Sequence, residues 1–138
     1  MKGKLKMNKV QQIKKQIGKR TPFSFRKRLR SINYAIEGVG SFFKSEHNAW
    51  IHLVATMVVI MLGLVYRVSA MEVAILALCI GFVWSAEIFN TSIEKTMDLI
   101  STEKDPMIKR IKDLSAAAVL IAAITALVVG CIVFIPKL

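Results

Sequence analysis

The stretch VAILALCIGFVWSAEIFNTSIEKTMD, residues 73–98, decides the fold. Its first half, Val73 to Ala86, is almost uniformly apolar, and it runs straight into Glu87 with no helix breaker before Ile100. A spanning helix needs about 20 mostly apolar residues, so this segment crosses a bilayer only by carrying polar side chains at membrane depth. Beyond Ala86, the residues Glu87, Asn90, Glu94 and Asp98 follow one another at intervals of three, four and four. That spacing puts all four on one face of a helix. It leaves Ile88, Phe89, Ile93 and Met97 to pack on the opposite side.

Working outward, apolar runs also fill Ile51–Val65 and Ala116–Pro136. Hydrophobic residues make up 54% of the 138, too many for a soluble domain of this size to hide in one core. The sequence therefore predicts an all-α integral membrane protein with three transmembrane helices, at about 50–69, 71–90 and 115–136. No apolar h-region follows the basic N-terminus before Ile51, so no signal peptide is expected. Cys79 and Cys131 both sit inside apolar runs and read as packing residues, not as a disulfide or a zinc site.

The net charge of +11 is unevenly placed. Thirteen of the twenty Lys and Arg precede Glu46, five lie between Lys95 and Lys112, and the turn after the first span carries only Arg67. Basic residues favour the cytoplasmic side. The expected orientation has the N-terminus and the 95–112 loop on the cytoplasmic side of the membrane and the C-terminus outside. The charge then serves topology and attraction to anionic headgroups, and nucleic acid is not an expected partner.

Residues 1–22 read as a basic, lipid-attracted tail ahead of a single membrane domain at 23–138. From Phe23 to Phe43, apolar residues recur at spacings of three and four: Phe25, Leu29, Ile32, Ala35, Ile36, Val39 and Phe43. With Arg26, Lys27, Arg28 and Arg30 near its start, this is an N-terminal amphipathic surface helix of the kind that lies in the membrane interface. Gly38 and Gly40 are expected to allow close approach to a span. Ser45-Glu46-His47-Asn48 marks the turn into the first span, with Trp50 at interfacial depth.

Carboxylates near a membrane are costly and mark functional sites by default. One reading of the acidic face is a solvated helix end whose acids pair with nearby Lys and Arg, above all at Asp98. Another is a cation path. A third is phosphoryl transfer, which asks for positioning, charge neutralisation and a group that accepts the nucleophile's proton. Magnesium takes one or two carboxylates and completes its shell with phosphates and water, a role suited to Glu94 and Glu46. Lys112 and Arg110 would face the phosphates, and Glu87, deepest in the apolar phase, would serve a lipid hydroxyl.

The run Glu87-Ile88-Phe89-Asn90-Thr91-Ser92-Ile93-Glu94 followed by Asp98 resembles the signature helix of the prokaryotic diacylglycerol kinase family. Lys112-Asp113-Leu114-Ser115-Ala116-Ala117-Ala118-Val119 and Glu46-His47-Asn48 resemble its two other motifs, and the resemblance covers roughly 25–136. It implies an ATP- and Mg²⁺-dependent lipid kinase acting on diacylglycerol or undecaprenol. It further implies Glu87 as general base with Asn90 beside it, and Glu46 and Glu94 as the metal carboxylates with ATP. Lys112 and Asp113 fall at nucleotide-contacting positions, joined by Tyr34 and Glu103, and by Lys27 where many members carry Arg. Asn48 and Trp50, with Glu87, fall at the acceptor lipid. The family's assembly implies a homotrimer with active sites shared between protomers. Glu46-His47-Asn48 followed by Ile51-His52 is more similar to the undecaprenol-type members, although His52 also reads as an interfacial histidine with a satisfied hydrogen bond. The competing functions are a non-enzymatic cationic membrane adaptor and a small cation channel subunit.

Overall fold

A computed structural model describes residues 24–101 and 105–138. The basic tail at 1–22 and Glu103 lie outside the described residues. Among those described, every regular element is helical: α1 (Phe25–Ser45), α2 (His47–Val65), α3 (Ala70–Ile100) and α4 (Pro106–Phe134), the last closed by a 3-10 turn at Ile135–Lys137. Three helices, α2, α3 and α4 with its terminal turn, are long and apolar enough to cross a membrane. The all-α, three-span expectation therefore holds.

The chain forms two compact units, one ending at Glu37 and one running from Gly38 to Leu138, with α1 beginning in the first and ending in the second. In the first unit, the apolar stripe Phe25, Leu29, Ile32 and Ile36 is exposed.

In the second unit the helix ends follow from local chemistry. Arg67 adopts the left-handed region at φ 48, and the Val68 N–H then reaches back to the Gly63 carbonyl at 3.1 Å. This is the bonding of a Schellman-type stop. A Cβ on Gly63 would lie 3.3 Å from Val68 Cγ2, so the missing side chain leaves room for the turn. Ser69 then caps α3: its hydroxyl accepts from the Glu72 N–H, while Glu72 Oε2 accepts from the Ser69 N–H at 2.6 Å. Glu72 also pairs with Lys137 at 3.1 Å, tying the start of α3 to the end of α4. Beneath this turn, Leu76, Val133 and Phe134 pack with Val59, Leu62 and Tyr66. At the other end of α4, Asp105 Oδ1 accepts from the Met107 and Ile108 N–H groups, and Pro106 occupies the first turn.

Two expectations are corrected here. Phe89 does not pack: it is 69% exposed, whereas Glu87, Asn90 and Thr91 on the polar face of α3 are buried. Lipid tails are as apolar as Phe89, so burying it gains little, while polar groups at membrane depth need partners inside the protein. Gly38 and Gly40 make no close approach, because a Cβ at either would meet nothing within 4 Å.

Candidate active site

The buried polar groups gather toward the end of the bundle opposite the 66–69 turn. Glu87 is 3% exposed, and its Oε1 lies 2.9 Å from His52 Nε2, reached across from α2. One turn away on both helices, the Trp84 indole N–H donates to Thr56 Oγ1 at 3.1 Å. The Thr56 hydroxyl in turn donates to the His52 carbonyl at 2.7 Å. The Trp84 ring meets His52 edge-on, with centroids 6.4 Å apart, and also stacks against Phe42 and Phe43 at the end of α1. Two polar rungs thus join α2 to α3 where hydrophobic driving force between helices is weak. Next to them lies an apolar cavity of about 520 Å³, whose wall includes His52, Thr56, Trp84, Ala123 and Phe134.

A second chain of bonds links α3 to α4. Asn90 Nδ2 donates to Glu94 Oε1 at 3.1 Å, and the Ser115 hydroxyl lies 2.7 Å from Asn90 Oδ1 and 2.8 Å from the Lys112 carbonyl. An ionised carboxylate only accepts hydrogen bonds. Glu94 therefore fixes which way the Asn90 amide faces, and Ser115 receives the carbonyl side.

The remaining candidates divide. Glu46 is half-buried at the start of α2, where Lys95 Nζ approaches it to 3.3 Å and the Ser45 hydroxyl donates to it at 3.0 Å. Lys112 is ion-paired with Asp98, and Asp113 with Lys109. Asp98, read from the sequence as a solvated acid that pairs with a nearby Lys or Arg, is thus the partner of a nucleotide candidate. Asn48 and Trp50 are exposed, Trp50 edge-on to Phe43 at 5.8 Å. Lys27 and Tyr34 belong to the first unit and are exposed. His52 as the partner of Glu87, and Ser115 as the partner of Asn90, are the pairings that sequence reading missed. The usable signal for the first was approximate depth: the short 66–69 turn joins the two helices, and His52 and Glu87 lie 14 and 18 residues from its two ends.

No group of three or more His, Cys, Asp or Glu side chains is poised to hold a metal among the described residues. Glu46 and Glu94 offer one carboxylate each, both half-buried and held by neighbours. Either carboxylate fits magnesium arriving with nucleotide phosphates, which needs only one or two protein carboxylates.

Three spanning helices with a carboxylate buried against a histidine, and further carboxylates two and three helical turns along, define a polytopic membrane protein with a polar site at one end of its bundle. The chain belongs to the prokaryotic diacylglycerol kinase family, whose model matches residues 33–134. It is 35% identical over 109 residues to an undecaprenol kinase of Bacillus subtilis, covering 79% of this chain and 89% of that protein. It is 36% identical over 111 residues to a diacylglycerol kinase of Synechocystis sp., covering 80% of this chain and 63% of that protein. Identity to the diacylglycerol kinase of Escherichia coli is 32% over 104 residues, 70% and 85% of the two chains. The chain is accordingly a bacterial membrane enzyme, a kinase, and neither the adaptor nor the channel reading stands.

Proposed function

We propose that this kinase transfers the γ-phosphoryl group of ATP to the hydroxyl of a membrane lipid alcohol, diacylglycerol or undecaprenol, giving phosphatidic acid or undecaprenyl phosphate. The observation that carries this reading is Glu87, a carboxylate buried within a helix apolar enough to span the membrane and held by a single histidine. A carboxylate buried in such a helix is suited to accept the proton of a lipid hydroxyl. The hydroxyl oxygen forms a bond to the γ-phosphorus, the bond from that phosphorus to the β–γ bridging oxygen breaks, and the proton passes to Glu87. ADP is the leaving group.

Asn90 neighbours that reaction and keeps Glu94 oriented. Glu46 and Glu94 hold Mg²⁺, which when bound neutralises phosphate charge. Lys112, Asp113, Lys27, Tyr34 and Glu103 contact the nucleotide, and Asn48 and Trp50 border the lipid. Residues 23–138 form the membrane lipid-kinase domain and 1–22 a basic tail; the family match from 33 to 134 supports a domain continuous across Glu37. The basic residues support a cytoplasmic N-terminus and 95–112 loop, where ATP is available, with the C-terminus outside. A homotrimer with shared sites accords with the exposed small residues Ala116, Ala117 and Ala118 on α4, since small residues let spans approach closely.

The test is transfer of label from γ-labelled ATP, with Mg²⁺, to diacylglycerol and undecaprenol offered in parallel to the purified protein. Label in one of the two lipids identifies the acceptor. Label in neither overturns the reading.

A further inference from the structure

We propose that His52 is the positioning residue for the base: its Nε2–H binds one oxygen of Glu87, so that the other oxygen is presented to the acceptor hydroxyl. This rests on the reading of Glu87 as base and adds a residue to it. As a base Glu87 is ionised, and an ionised carboxylate only accepts hydrogen bonds, so the proton of the 2.9 Å contact sits on His52 Nε2. A glutamate has three side-chain torsions to restrain, and a carboxylate at 3% exposure has almost no water to restrain it. The hydrogen bond from His52 supplies both an orientation and a partner for charge that is costly to bury alone.

His52 is itself held on two sides, which a merely solvating histidine does not require. Its backbone carbonyl accepts from Thr56, whose hydroxyl also receives the Trp84 N–H, and the Trp84 ring meets the imidazole edge-on. Trp84 and Glu87 are three residues apart on α3, so the element that carries the base also braces the histidine that orients it. His52 also lines the apolar cavity. A hydrocarbon side chain at position 52 is therefore compatible with the wall and deletes only the donor.

The experiment compares His52→Leu with His52→Gln, whose Nε2 donor falls near that of the imidazole. Misplacing a reacting group by about 1 Å costs on the order of 10²-fold, and His52→Leu is expected to lower kcat by roughly that factor. The KM for ATP should stay within about threefold, because only the lipid side of the reaction is disturbed. His52→Gln should recover most of the lost kcat. Leu76→Ala, which loosens the apolar packing at the opposite end of the bundle, serves as a stability control with kcat unchanged. Should the Leu variant fail to fold, His52→Asn, whose amide falls short of Glu87, replaces it against Gln. A wild-type kcat in His52→Leu, or a Gln variant as slow as the Leu variant at equal melting temperature, overturns the positioning role while Glu87→Gln remains inactive. Full activity in Glu87→Gln overturns the base assignment itself.

Discussion

Lys95 on α3 places its ammonium 3.3 Å from Glu46 Oε1 and 2.6 Å from the Ser45 hydroxyl, so a carboxylate at the start of α2 is engaged by a cation from the neighbouring helix. If Glu46 is a metal carboxylate, that ammonium is its competitor. The pair is half-exposed on the lysine side, and such pairs contribute little, at most about 1 kcal/mol. Lys95→Met is expected to lower the Mg²⁺ concentration for half-maximal activity by about two- to fivefold. A magnesium titration at fixed ATP reads it, and an unchanged midpoint means that Lys95 does not compete at Glu46.

Ser115 links the Lys112 turn of α4 to Asn90 and, through its amide, to Glu94. Ser115→Ala leaves the buried Asn90 carbonyl without that donor, a loss of about 1–3 kcal/mol. The expected outcome is a lower melting temperature together with a kcat reduced roughly tenfold, since a freed amide no longer orients Glu94. Thermal melts and steady-state kinetics on the same preparation check both halves. A stability loss with unchanged kcat would make Ser115 purely structural.

Lys112 is two-thirds covered and paired with the more exposed Asp98. An ammonium given up by an exposed carboxylate is readily available to a nucleotide phosphate. Lys112→Gln should raise the KM for ATP on the order of tenfold or more, as expected when a charged hydrogen bond is lost. Its melting temperature should hardly move, because a surface pair contributes little to stability.

Arg67 carries a side chain in a left-handed conformation at the turn between α2 and α3. That conformation disfavours residues with a Cβ by roughly 1–2 kcal/mol, a penalty glycine escapes. Arg67→Gly also gains unfolded-chain entropy, so the net expectation is a stabilisation of about 1 kcal/mol with activity unchanged. A lower melting temperature would mean that Arg67 makes compensating contacts at the surface.

Much of this was legible in the residues because apolar runs and helical periodicity are local properties. The three apolar runs became three helices, and the intervals from Glu87 to Asp98 identified one face of α3. What spacing does not encode is which way a face turns. Phe89 was expected inside and lies outside, because in lipid the usual inward pull on an aromatic side chain is absent and polar groups compete for the interior. The His52–Glu87 pair joins residues 35 positions apart, and no periodicity within either helix reports it. Ser115 was hidden for another reason: a lone hydroxyl at the head of an alanine run looks like one more small residue until its partner is known.

α3 runs unbroken from Ala70 to Ile100. Glu87 and Glu94 are two helical turns apart on it, about 10 Å along the axis at 1.5 Å per residue. On the proposed reading, the base for a group dissolved in lipid and the carboxylate for a group dissolved in water are mounted on one covalent ruler. The spacing between those two positions is set by helical rise, so it needs no hinge to establish it. Inserting or deleting a single residue between them would turn one carboxylate about 100° away from the other.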